Sequence, residues 1–69
     1  MTPAQFKQAR QSLGLTHAEA ALVLGYGSMS RIYEIENGRR NPSASVVRLM
    51  QAYLDGYRPK DWPKQEENR

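Results

Sequence analysis

The rest of this chain is organised around one stretch, Ser28-Met29-Ser30-Arg31-Ile32-Tyr33-Glu34-Ile35-Glu36-Asn37-Gly38. Ser28 is a suitable helix N-cap, because its hydroxyl can accept from a backbone N–H that the first helical turn leaves free. Gly38 can adopt the left-handed conformation that ends a helix. The pattern predicts a helix of about ten residues over 28–37, too short to be stable without packing.

The two faces of this predicted helix differ in polarity. Ile32 and Ile35 lie three residues apart and form a narrow apolar stripe that faces inward. The opposite face carries the hydrogen-bonding side chains Ser30, Tyr33, Glu34 and Asn37. An ordinary surface helix would show the same pattern, so the rest of the chain has to decide whether this face binds a partner.

Length and composition limit the possible classes of protein. The chain has 69 residues, no cysteine and a net charge of +3, with a pI near 9.6. It can form one small domain, and the lack of cysteine excludes a disulfide framework and a thiolate metal site. The start of the sequence has no long apolar run, so no signal peptide or membrane span is expected. The mild basic excess allows a polyanionic partner.

Capping residues and helical periodicity predict three further helices. The first begins with the capping box Thr2-Pro3-Ala4-Gln5, the second with the capping box Thr16-His17-Ala18-Glu19, and each ends at a glycine. Ser43 is expected to cap a fourth helix over residues 44 to about 54. The predicted core residues on the first and fourth helices are Phe6, Ala9, Leu13, Val46, Leu49, Met50 and Tyr53. Arg10 is assigned to the polar side of the first helix.

The composition changes after Tyr57. Residues 58–63, Arg58-Pro59-Lys60-Asp61-Trp62-Pro63, are expected to be extended, and residues 64–69 are expected to be a solvated tail. The sequence therefore predicts one helical domain over residues 1–57 and an extended or flexible C-terminal segment over 58–69.

These features together resemble the lambda-repressor-like helix-turn-helix family of the Cro/C1 or XRE type, over about residues 6–54. The matching positions are Ala21, Gly25, Ile32, the run Ile35-Glu36-Asn37-Gly38 and the loop Asn41-Pro42-Ser43. The resemblance implies an all-α, compact bundle of four short helices that contains a helix-turn-helix, with an extended C-terminal tail. It also implies a transcriptional regulator, expected to be a repressor, that binds double-stranded DNA as a homodimer on a pseudo-palindromic site.

Two features depart from the family pattern. His17 stands where members commonly have a Gln that touches a phosphate. The stretch from Gly25 to Glu36 is one residue longer than usual, so Tyr26-Gly27 is interpreted as an insertion in the turn. Roles on the third helix are therefore assigned by counting back from the run that ends at Gly38.

The resemblance implies that the third helix enters the major groove. The expected base-reading residues are Met29, Ser30, Tyr33 and Glu34. The expected phosphate-binding residues are Thr16, His17, Arg31, Asn37, Arg39 and Arg40. Each group has a plain alternative: Glu34 as a solvated carboxylate, His17 as an exposed side chain, and the two loop arginines as a solubilising loop.

Leu22 and Val23 are apolar at positions that are often polar in the family. Cover by the C-terminal tail or by a second subunit would explain them, and so would two scattered surface residues. The dimer contact is expected either at these two residues or at Tyr57 and Trp62.

The sequence shows no set of residues typical of catalysis. With one histidine and no recognisable triad or carboxylate pair, neither an enzyme nor a metal or cofactor is expected. A cytoplasmic protein without membrane contact is expected. Two alternatives keep the fold, namely an antitoxin or phage accessory protein with a protein partner, and a pure protein-interaction module. The small net charge favours the module, and the position of Arg39 and Arg40 favours DNA.

Overall fold

The structure is a computed structural model that describes residues 1–63, and residues 64–69 lie outside the described part. The chain forms four helices: α1 (Pro3–Ser12), α2 (His17–Leu24), α3 (Ser30–Glu36) and α4 (Ala44–Leu54). No strand occurs within residues 1–63, so the all-α fold class is confirmed. α1 packs against α3, and α2 packs against both α3 and α4.

Local capping bonds set the starts of three helices. The Thr2 hydroxyl accepts from the Gln5 N–H at 3.1 Å, and the Gln5 side chain accepts from the Thr2 N–H at 2.9 Å. Thr16 and Glu19 form the same reciprocal pair at α2. Ser43 accepts from a backbone N–H in the first turn of α4 at 3.2 Å. These bonds satisfy donors that a helix start leaves free, and the predicted starts are confirmed.

α3 begins later than the sequence predicts. The Ser28 hydroxyl accepts from the N–H of Ser30 at 3.0 Å, a bond within the turn before the helix. Met29 occupies the N-cap position and makes no side-chain capping bond. A serine that bonds the N–H two residues ahead stabilises a turn, so the helix starts only after it. The predicted range 28–37 is therefore too long, and α3 has seven residues.

The end of α3 is the one predicted from Gly38. This residue has a φ of +81°, which side chains with a Cβ disfavour. The N–H of Arg39 donates to the carbonyl of Glu34 at 2.9 Å, and the N–H of Gly38 donates to the carbonyl of Ile35 at 3.2 Å. This pair of bonds is the Schellman motif, which satisfies carbonyls that the last turn leaves free.

The core lies between the four helices. The largest fully buried side chains are Phe6, Ile32, Ile35 and Met50. Ala20 and Ala21 in the middle of α2 are also buried, at 0% and 4% exposure. Because these residues lack bulk, α3 and α4 can both approach α2 closely. The narrow stripe of α3 and the small residues of α2 thus fix how the two helices sit together.

Leu22 and Val23 are neighbours on α2 but lie in different surroundings. Val23 is 6% exposed and belongs to the core, and its carbonyl accepts a hydrogen bond from the Tyr53 hydroxyl. Leu22 is 57% exposed. Successive residues of a helix are turned by about 100°, which separates the two side chains. Val23 is therefore covered within the fold, and of these two residues only Leu22 is at the surface.

The segment after α4 folds back onto that helix. The N–H of Trp62 donates to the carbonyl of Pro59 at 3.1 Å, and the Trp62 ring meets Tyr53 edge-on with 4.9 Å between ring centroids. Arg58 lies 4.3 Å from the centre of the Trp62 ring and donates to the Tyr53 carbonyl at 2.7 Å. The segment expected to be extended thus contains a turn, because the tryptophan packs against the core. The domain boundary at residue 57 stays a prediction, and the expected solvated tail lies outside the described residues.

Candidate nucleic-acid interface

α3 exposes the side that faces away from its two isoleucines. Ile32 and Ile35 are 0% and 1% exposed, and they fix the helix on the core. Met29 and Tyr33 are 49% and 46% exposed, although both are large and apolar. We call the surface formed by Met29, Ser30, Arg31, Tyr33, Glu34 and Asn37 the outer face of α3. All six side chains are at least partly accessible, so this surface is available for a partner.

A surface ion pair joins the outer face to the following loop. The Nε of Arg40 donates to Oε1 of Glu34 at 3.0 Å, and the two side chains are 46% and 38% exposed. An exposed pair of this kind contributes about 0–1 kcal/mol, so a ligand can displace it easily. The bond uses only Nε, which leaves the terminal nitrogens of Arg40 as donors. Arg39, the neighbouring loop residue, is exposed.

A second, buried ion pair lies beneath the other side of α3. The Nε of Arg10 donates to Oε2 of Glu36 at 2.7 Å, and both side chains are 8% exposed. The Nη1 of Arg10 donates to the carbonyl of Leu15 at 2.9 Å, and Nε2 of His17 lies 3.2 Å from Oε1 of Glu36. Both charges are thus paired and hydrogen-bonded, which buried charges require. We call Arg10, Glu36 and His17 the buried network.

The expectation that Arg10 lies on the polar side of α1 is wrong. Arg10 is 7% exposed and belongs to the interior. It follows Phe6 by four residues, and Glu36 follows Ile32 by four, so both charged residues lie on inward faces of their helices. The burial of both residues could therefore have been predicted from their spacing in the sequence. The ion pair between them could not, because it joins residues that are far apart in the chain.

His17 is part of the site in a way that its position in the sequence does not reveal. Its imidazole stacks on the ring of Tyr33, with 4.0 Å between ring centroids and an angle of 14° between the planes. Its side chain is only 26% exposed. The first residue of α2 is therefore in direct contact with the outer face of α3. His17 is therefore not simply an exposed side chain, and the phosphate contact predicted for it stays a prediction.

The N-terminus of α2 has few free donors. The N–H of Thr16 donates to Oε1 of Glu19 at 2.9 Å, and the Thr16 hydroxyl accepts from the Glu19 N–H at 3.1 Å. The capping box thus uses the backbone donor of Thr16 and places a carboxylate beside it. A phosphate at this position would have to rely on the remaining N–H groups of the first turn and on the Thr16 hydroxyl proton.

A family model described as a helix-turn-helix domain matches residues 4–56 of the chain. The chain belongs to this helix-turn-helix family. The match covers all of α2, α3 and α4 and nearly all of α1. No curated protein and no solved structure matches the chain.

A helix-turn-helix domain is a DNA-binding module, and DNA binding with a part in regulating transcription is what the family indicates. The structure brings the predicted residues of the second and third helices into one region, where His17 touches Tyr33 and Arg40 touches Glu34. Within residues 1–63, no cluster of three or more side chains is suited to hold a metal ion. In the same part of the chain, each helix is too short or too polar to cross a membrane.

Proposed function

We propose that this helix-turn-helix domain binds double-stranded DNA sequence-specifically through the outer face of α3, and that it is a transcriptional repressor of the lambda-repressor-like, XRE type. The observation that carries the proposal is the contrast between the two sides of α3. Ile32 and Ile35 are fully buried, while large and polar side chains on the other side remain accessible. A major groove about 12 Å wide admits a helix presented in this way.

The proposed phosphate contacts surround the outer face. Arg31 lies on α3 itself, Asn37 and Arg39 follow its last turn, and Arg40 keeps terminal nitrogens free beside Glu34. Thr16 lies at the start of α2, where the helix dipole favours an anion. The neighbouring His17 is proposed to act on the DNA through Tyr33, on which it stacks, and not through a phosphate. Contacts to phosphate position a protein on DNA without reading its sequence.

The proposed base contacts come from Met29, Ser30, Tyr33 and Glu34. Ser30 and Glu34 are four residues apart and therefore lie one helical turn apart on the same side. A carboxylate at Glu34 can accept from the N4 amino group of cytosine once its bond to Arg40 opens. Met29 offers an apolar contact that suits the methyl group of thymine.

The first experiment measures the affinity for random duplex DNA at several salt concentrations. Counterion release makes log K fall with log salt by about 0.9 per phosphate neutralised. The double variant Arg39→Ala/Arg40→Ala should weaken binding to all sequences similarly and flatten the slope by up to about 1.8, if each arginine neutralises one phosphate. A control variant, Arg48→Ala/Lys60→Ala, removes the same charge from α4 and the C-terminal segment and should change the slope less.

A slope near zero in the parent protein would contradict the proposal. It would favour the protein-interaction module instead, since an interface without phosphates has no such salt dependence. If both double variants decreased the slope of log K against log salt equally, Arg39 and Arg40 would act only through the net charge of the protein. Selection of bound sites from a random duplex library then gives the preferred sequence.

The proposed active species is a homodimer on a pseudo-palindromic site. One domain of this size buries little DNA surface, and two half-sites one helical turn apart would supply more contacts. Tyr57 and Leu54 at the end of α4 are 55% and 44% exposed, whereas Val23 and much of Trp62 are used within the fold. Sedimentation on the selected DNA should give two chains per site. Tyr57→Ser should lower this number, and Leu22→Ser is the matched control on α2.

A further inference from the structure

We propose that His17 is a positioning residue for base reading, because its stack on Tyr33 fixes how that side chain meets the DNA. The inference rests on the proposed function and deepens it. It assigns the sequence preference at one base pair to a unit of two residues on different helices. A direct contact between His17 and a phosphate is then not required.

The stack restricts the ring of Tyr33. Its centroid lies 4.0 Å from that of His17, and the planes differ by 14°, so one face of the phenol is covered. The residue is nevertheless 46% exposed. A tyrosine side chain has only two rotatable angles, and the stack opposes rotation about both. The accessible part that can meet a base is therefore the other face, the ring edge and the hydroxyl, which can donate and accept.

His17 itself is held in place by the other two members of the buried network, Glu36 and Arg10. Its Nε2 lies 3.2 Å from Oε1 of Glu36, whose other oxygen accepts from Arg10 at 2.7 Å. Arg10 in turn donates to the carbonyl of Leu15 at 2.9 Å, in the loop just before α2. The imidazole thus has a fixed partner at one end and the Tyr33 ring on one face. The position of Tyr33 is coupled through His17 to the interior.

The hydrogen bond to Glu36 also decides what His17 can offer to DNA. An ionised carboxylate only accepts, so Nε2 carries the proton of this bond. Nε2 is thus already used within the fold, and the contact of His17 with the outer face of α3 is the stack on Tyr33.

The test compares base preferences of variants in a binding selection on duplex libraries built around the site that the parent selects. His17→Gln keeps a donor for Glu36 and removes the ring. His17→Phe keeps a ring for the stack and removes the donor. Tyr33→Ala removes the reading side chain.

We expect His17→Gln to lower discrimination about two- to tenfold at the same symmetric pair of positions that Tyr33→Ala affects, which is the range that an aromatic pair supplies. His17→Phe should keep most of that preference. The double variant His17→Gln/Tyr33→Ala should lose no more discrimination there than Tyr33→Ala alone. The salt slope of His17→Gln should equal that of the parent, because no phosphate contact is lost.

Two results would overturn the inference while leaving DNA binding intact. One is an unchanged base preference in His17→Gln. The other is a uniform loss of affinity with a shallower salt slope in both His17 variants, which would make His17 a phosphate contact. A parent protein that binds no duplex would instead overturn the proposed function.

Nuclear magnetic resonance of the free parent protein provides a measurement that does not depend on the folding of the His17 variants. Ring-current shifts of the His17 ring protons should be large in the parent and absent in Tyr33→Leu. Their absence in the parent would overturn the inference, because the stack would not exist in solution.

Discussion

Glu34 and Glu36 are two residues apart on α3, but their carboxylates lie in different regions of the molecule. Glu34 is 38% exposed and accepts one bond from a loop arginine that is itself 46% exposed. Glu36 is 8% exposed and accepts from Arg10 and His17. The same helix thus contributes to one ion pair that is exposed to water and to a second ion pair that is buried.

Burial, and not the type of charge, decides whether each of these ion pairs can be broken by a ligand. The surface pair is weak because water competes with both partners, so Glu34 and Arg40 are free to exchange it for contacts with a ligand. The buried pair cannot be exchanged, since breaking it leaves an unpaired charge in the interior. Glu36 therefore belongs to the scaffold that holds α3, and Glu34 belongs to the surface that α3 presents.

The largest expected effect comes from breaking the buried network. Glu36→Ala should lower the free energy of unfolding by about 3–5 kcal/mol, because the buried charge of Arg10 loses the carboxylate that balances it. The total free energy of unfolding of a domain of this size is roughly 3–10 kcal/mol, so the variant should be only marginally stable or unfolded. Urea denaturation followed by circular dichroism measures this loss.

Two further variants sharpen this prediction. Glu34→Ala, the matched variant on the same helix, should cost less than about 1 kcal/mol. The double variant Arg10→Met/Glu36→Leu should recover much of the stability lost in Glu36→Ala, since apolar side chains need no partner. Equal losses for the two single glutamate variants would contradict the distinction between the regions.

An intermediate effect on the free energy of unfolding is expected at Tyr53, whose buried hydroxyl is a neutral group without a counter-ion. Tyr53→Phe removes the hydroxyl that donates to the Val23 carbonyl and should cost about 1 kcal/mol in free energy of unfolding. Burial raises the pKa of Tyr53 above 10.0, and the charges of Asp61 and Tyr57 raise it further. The folded state thus favours the protonated phenol.

The raised pKa of Tyr53 has a consequence for stability at high pH. The stability from the neutral phenol is fully present below pH 10 and is lost as the pH rises through the pKa of the folded state. The midpoint temperature of thermal unfolding should therefore fall more steeply with rising pH, above pH 9, in the parent than in Tyr53→Phe. Parallel curves for the two proteins would contradict this assignment.

The smallest effect on stability, under about 0.5 kcal/mol, is expected for Glu34→Gln. Its effect should appear on DNA instead. The amide keeps the shape, removes the charge and adds a donor, so the preferred base at one symmetric pair of positions should shift from cytosine toward adenine. A good bidentate contact is worth about 1–3 kcal/mol, which a binding selection resolves easily. An unchanged site with slightly higher affinity would mean that Glu34 is only a solvated neighbour of the DNA.

Most of the fold could be predicted from the sequence, because the signals that define the helices are local. Thr2, Thr16 and Ser43 each bond a backbone N–H three residues ahead, and such a bond needs no other part of the chain. The glycine that ends α3 acts equally locally. Ser28 was the exception, since its hydroxyl bonded two residues ahead and delayed the helix. Four residues of the outer face of α3, Ser30, Tyr33, Glu34 and Asn37, also followed from periodicity alone.

Which side chains of different helices contact each other depends on the tertiary packing and could not be predicted from the sequence. Arg10 reaches Glu36 across 26 positions of the chain, and His17 reaches Glu36 across 19. No local rule gives such a pairing, because many polar residues share the same helical spacing and only packing selects the partner. The stack of His17 on Tyr33 and the contact of Trp62 with Tyr53 arise in the same way. The helices can be predicted because local hydrogen bonds define their ends. The side-chain contacts between helices cannot, because they depend on which side chains the packed helices bring within reach of each other.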